Sequence, residues 1–185
     1  MKFSKMFLFL LLTLLFTARI FPAEKSLSPD KGIRSEVIKE LNEAEEKITA
    51  LANEIPQAKY TWMPEKGVRT VSEVILHVAA ANYFILSFAG IKSPEEMKMD
   101  SDYDKKTTDK KEILDFVKTA YAFTRDKIMS LKDKDLEKMV DFFGTKLSTR
   151  HLLVKMAGHS HEHLGQLIAY ARMNGITPPW SKKAN

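Results

Sequence analysis

Along most of this chain, apolar residues recur at steps of three and four, and they hardly ever alternate one by one. The first period belongs to helices that bury one face; the second marks half-buried strands and is nearly absent. Four helical segments follow from the pattern. The first runs from Ile33 to Ile55, with Ile33, Val37, Leu41, Ala44, Ile48 and Leu51 on one face and Lys39, Glu40, Glu43, Glu46 and Lys47 on the other. Pro56 cannot continue it, and residues 56–69 form a connector containing Trp62, Pro64 and Gly67. The second helix opens sharply, because Thr70 followed three residues on by Glu73 is a capping box ahead of an apolar run. Its inward stripe is Val74, His77, Val78, Ala81, Ile85 and Phe88, which places His77 on the buried side; Gly90 ends it.

Residues 91–108 are polar and predict a long loop with a short helical turn at Pro94 to Met97. The third helix covers Asp109 to Leu131 on Ile113, Phe116, Val117, Ala120, Phe123, Ile128 and Leu131. Lys132 to Leu147 predicts a second irregular connector, with Met139, Val140, Phe142 and Phe143 covering one end of the bundle. No Asn-Gly or Asp-Gly turn lies between alternating runs, so no hairpin is expected. The fourth helix runs from Ser148 to Asn174, with Gly175 as its left-handed cap and Pro178 and Pro179 preventing continuation. Its stripe is Leu152, Met156, His159, His163, Gln166, Leu167 and Tyr170, while His161 and His151 fall off it and face solvent. The predicted fold class is all-α: a four-helix bundle over residues 33–180, antiparallel or with a crossover, ending in a short tail at 181–185.

The first 23 residues change the picture. Lys2 and Lys5 precede a run from Met6 to Phe16 that is apolar but for Thr13. At about 1.5 Å per residue the run spans only about half of a bilayer core of about 30 Å. A basic start with a short apolar stretch reads as a secretory signal peptide, and the alternative is an uncleaved membrane leader. Residues 24–32 are polar and turn-rich, a linker into the bundle. The expected location is therefore export, to a periplasm, or attachment to a membrane through the leader. Removing residues 1–23 takes away Lys2, Lys5 and Arg19 and no acid, so a net charge of +5 falls to +2. The remaining basic residues are scattered, as in Lys105-Lys106 and Lys110-Lys111, with acids between them. No basic face remains for nucleic acid. With no cysteine, disulfides, thiolate nucleophiles and lipid-modified cysteine anchors are excluded.

The chemistry rests on histidines. His159 and His163, four apart, share one helix face with Cβ atoms about 5–6 Å apart, and His77 comes from another apolar stripe. Two readings stand. Each could be a core histidine satisfied by neighbours such as Gln166, Tyr83 or Tyr170. Alternatively, one divalent cation satisfies three acceptor nitrogens together and leaves the N–H groups for outer partners. Glu73 likewise has two readings, as helix cap or as fourth ligand or acid/base, and the cap is the simpler. Gln166, three past His163, suits an outer hydrogen bond to the ligand set. Met63, Met139, Met156 and Met173 form no copper-type cluster.

Tyr60-Thr61-Trp62-Met63-Pro64, then Gly67 to Val78 with His77, and finally His159-Ser160-His161-Glu162-His163-Leu164-Gly165-Gln166, followed by Gly175 and Pro178-Pro179, carry a family likeness. The chain resembles the DinB superfamily of bacterial four-helix-bundle metal proteins over essentially all of Ile33 to Trp180. The resemblance implies a triad of His77, His159 and His163, open on one side for water or a small-molecule substrate, and pairing as a homodimer. Zinc or nickel suits such imidazoles best, with iron or manganese as further candidates. Members include thiol-dependent transferases that use cytosolic thiols, whereas this leader points outside the cytosol. The expected function is an exported divalent-metal-binding protein, with metal-dependent transferase or hydrolase chemistry as its candidate activity. The alternative is a non-catalytic periplasmic binding or stress-response bundle.

Overall fold

A computed structural model describes residues 32–94 and 102–182. The leader, most of the linker and residues 95–97 of the expected turn lie outside the described residues. The main helices are α1 (Ile33–Glu54), α2 (Val71–Phe88), α3 (Lys110–Ser130) and α5 (Thr149–Met173), with a one-turn helix α4 (Asp133–Leu136) before a hairpin of β1 (Met139–Phe142) and β2 (Thr145–Ser148). The helix starts follow the side chains that cap them. Thr70 accepts from Glu73 N while Glu73 accepts from Thr70 N, Asp109 accepts from Glu112 N, and Ser148 accepts from His151 N. Gly175 at φ 74° closes the turn after α5.

Contacts at the helix ends set the topology. Arg34 at the start of α1 donates to Leu131 O at the end of α3 and pairs with Asp133. At the other end, Lys110 N donates to Gln57 Oε1 and Tyr170 OH donates to Arg69 O. So α1 and α5 run one way and α2 and α3 the other, and the end of α2 and the start of α3 lie at opposite ends of the bundle. The core draws on all four helices, from Leu41, Ile48 and Leu51 through Ile75, Leu86 and Ile113 to Leu152 and Leu164. Helix α2 is long and apolar enough to cross a membrane, but 72% of it is buried within the bundle, as befits a central helix. A polar contact crosses the core, where Tyr121 OH donates to Ser160 Oγ at 3.3 Å.

The connector 132–147 departs from expectation. It holds α4 and a two-stranded antiparallel hairpin pairing Met139 with Ser148 and Phe142 with Thr145. Its two-residue turn is Phe143-Gly144, at φ 54° and 80°. Positive φ at both central residues is the geometry that follows strand twist, and it is ordinarily supplied by Asn-Gly. Phenylalanine there costs about 1–2 kcal/mol in backbone strain. Val140 and Phe142 pack against the core, but Met139 and Phe143 are 63% and 71% exposed rather than covering the bundle end.

Candidate metal centre

His77 lies in the second turn of α2 and His159 and His163 on successive turns of α5, where the two helices run antiparallel. The three rings converge, with centroids 5.2 Å (77–159), 4.7 Å (77–163) and 4.5 Å (159–163) apart and planes inclined by 55° to 76°. One ligand nitrogen from each lies within 4.8 Å of the others. All three are half-buried, so the group sits at the edge of the core instead of inside it. This corrects the expected stripe. Of that stripe Leu152, Met156, Leu167 and Tyr170 are buried, but the arc is completed by Leu153, Ala157, Ser160, Leu164 and Ala171, and His159, His163 and Gln166 are only half-buried. Ala157 and Ser160 take the buried positions between the histidines' turns, leaving the histidines on one flank of that arc.

Burial, reinforced by the Arg69 guanidinium and the other two imidazoles, pushes His77 down to about 4. Burial, followed by His163, does the same to His159, also to about 4. Both are therefore neutral at pH 7 and carry a free lone pair. His163 is oriented by a chain of hydrogen bonds whose polarity is forced from its far end. The Arg69 carbonyl can only accept, so Tyr170 OH donates to it at 3.1 Å. The phenol oxygen then accepts from Gln166 Nε2 at 3.0 Å. That turns Gln166 Oε1 toward His163 Nδ1 at 2.8 Å, and Nδ1 must be the protonated nitrogen. Nε2 of His163 is left with the lone pair. His159 Nδ1 is buried without a hydrogen-bond partner, a condition costing about 1–3 kcal/mol that a cation shared by the imidazoles would relieve. The donor set fits a divalent cation.

A cleft of about 770 Å³, lined by Met63, Lys66, Gly67, Val68, Arg69, Glu73, Asp104, Lys105 and Gln166, meets the group through Gln166, although none of the three histidines lines it. Arg69 Nε pairs with Asp104 Oδ2 at 2.8 Å across it. Glu73 faces this cleft but spends Oε2 on Thr70 N at 2.7 Å, and the three-atom ligand group does not include it. Its cap reading is the one the geometry supports.

The sequence pattern of the DinB superfamily matches residues 40–167, more than half of the chain. The chain belongs to the DinB superfamily. A search among curated proteins returns no match. Among solved structures, a DinB-like protein from Bacillus cereus superposes with a TM-score of 0.67 at 24% identity, over 77% of this chain and 93% of that one. A second, YjoA from Bacillus subtilis, gives 0.63 at 21%, over 80% and 99%. YfiT from Bacillus subtilis, described as "a probable metal-dependent hydrolase with an unusual four-helix bundle topology", gives 0.62 at 16%, over 85% and 95%. At these identities the likeness establishes the fold.

Within this DinB bundle, His77, His159, His163 and Gln166 come together as expected. His151 is exposed, also as expected. His161 is only half-exposed, and its Nε2 lies 3.2 Å from Glu40 Oε2 on α1. Sequence reasoning named Tyr170 as a neighbour for the histidines but missed that it acts through Gln166, and it missed Arg69 as the end of the chain. The spacing of Tyr170, four past Gln166, is a signal for the first; a backbone carbonyl leaves none.

Proposed function

We propose that this DinB protein is exported and binds a divalent metal ion, zinc or nickel by the preference of imidazole, at His77, His159 and His163, where it serves transferase or hydrolase chemistry. The observation that carries the reading is the convergence of three imidazoles, two of them held neutral by burial, on one flank beside an open cleft. A divalent cation held there acts as a Lewis acid, polarising a substrate or lowering the pKa of a water or thiol. The protein's own share is placement. Gln166, Tyr170 and the Arg69 carbonyl hold His163 in one tautomer, and the cleft admits a small molecule beside the triad while the bundle excludes water from the other side. Glu73 is the acid/base candidate because its carboxylate faces the cleft and one oxygen remains outside the cap. The reported character of YfiT supports the class of chemistry, and the leader supports export.

Elemental analysis of protein purified without a metal-binding tag tests this directly. Near-stoichiometric metal is expected in the wild type and little in His163→Ala. Equal metal in both, with the variant folded, would refute the assignment.

A further inference from the structure

The end of the bundle remote from the histidines carries an aromatic cluster that the metal reading does not use. Phe84 and Phe88 from the last turns of α2 meet Phe142 and Phe143 of the hairpin. Ring centroids lie 4.9 Å apart for 88–142, 5.3 Å for 88–143 and 6.0 Å for 84–143. Phe143 exposes 71% of its surface and Phe84 39%. Phe143 also sits at positive φ, in a turn where asparagine would be at ease. A strained backbone that displays a large apolar ring to solvent points to something outside the folded domain.

We propose that this aromatic end rests on the interfacial region of a lipid bilayer. Where the chain enters the bundle identifies the occupant. Arg34, two residues into the described segment, bonds to Leu131 O and Asp133, just before α4 and the hairpin. The chain therefore enters the domain at the aromatic end, and in the uncleaved reading of the leader the apolar run from Met6 to Phe16 tethers this end to the bilayer. Charge placement agrees. The tip residues Phe142, Phe143, Gly144 and Thr145 carry no charge, and directly behind them Asp141 pairs in register with Lys146. That arrangement suits shallow insertion, with apolar rings below the headgroups and ions level with them. In this orientation the cleft lined by Arg69 and Gln166 lies at the end away from the membrane.

The full chain carrying Phe143→Trp, on vesicles of phosphatidylcholine and phosphatidylglycerol with brominated acyl chains, tests the proposal. The native Trp62 and Trp180 serve as internal controls. Trp62 packs on Tyr170, and Lys47 lies over the Trp180 ring, so both mark the opposite end. The added tryptophan should shift to the blue on vesicle binding and lose most of its intensity to bromine, while the native pair changes little. Vesicle-bound protein in which the added tryptophan stays unshifted and unquenched overturns the proposal. So does a blue shift that appears without vesicles, grows with protein concentration and accompanies a dimer in size exclusion, since a second copy then covers the cluster. If the variant does not fold, hydrogen exchange of the unsubstituted chain decides. Slower exchange at residues 142–145 with vesicles supports the proposal, and unchanged exchange overturns it.

Discussion

At the scale of single residues, the chain from His163 through Gln166 and Tyr170 to the Arg69 carbonyl is a testable device. Gln166→Leu removes the acceptor at Nδ1 and should weaken metal affinity about 10- to 100-fold, measured by competition with a chelating dye. Tyr170→Phe should weaken it less, because the amide can still accept from His163 but is free to turn over. The depressed histidines set a pH dependence for metal-free protein. Above the ordinary value of 6.5, His77 and His159 are neutral in both folded and unfolded states, so their titration contributes nothing to stability there. As pH falls from 6.5 to about 4, the unfolded chain takes up protons that the folded one refuses, and stability declines. Melting temperature against pH for the chelated protein should show that fall, flattened in His77→Gln/His159→Gln. Spacing alone identifies the His159–His163 pair and Gln166. Their place around the helix does not follow from spacing, because an apolar face is a wide arc and Ala157 and Ser160 decide where its centre lies.

At the scale of elements, legibility followed the strength of local signals. The capping box at Thr70, the cap at Ser148 and the glycine at 175 mark helix ends in the sequence, and the structure places those ends within a residue or two. The hairpin left no comparable trace. Its strands are four residues each, too short for the alternation of one exposed and one partly buried face to stand out, and its turn uses Phe-Gly where Asn-Gly would have announced it. Thr70→Ala should cost about 1 kcal/mol, measured by denaturant titration, since the side-chain acceptor of the capping box is lost. Glu73→Gln keeps an acceptor for Thr70 N and should leave stability nearly unchanged. A fall in turnover with metal content and melting temperature intact would assign proton transfer to Glu73; unaltered turnover would leave it a cap.

At the scale of the molecule, the four helices and their buried faces are legible in the sequence, whereas the pairing of directions is not. It depends on which loop crosses the bundle, and the polar stretch 89–109 looks like any connector until Arg69 is found against Asp104. Metal bound at a site drawn from α2 and α5 ties together helices distant in the chain. A chelator should therefore lower the melting temperature, by an amount set by free metal over its dissociation constant, about 2.7 kcal/mol at a hundredfold excess. Lys182, the last described residue, pairs with Glu54 at the end of α1. That puts residue 182 a full helix length from where residue 32 enters. An extension added after residue 182 would grow from the same end of the bundle as the cleft, and a polyhistidine extension there would offer competing imidazoles to the very ions being counted.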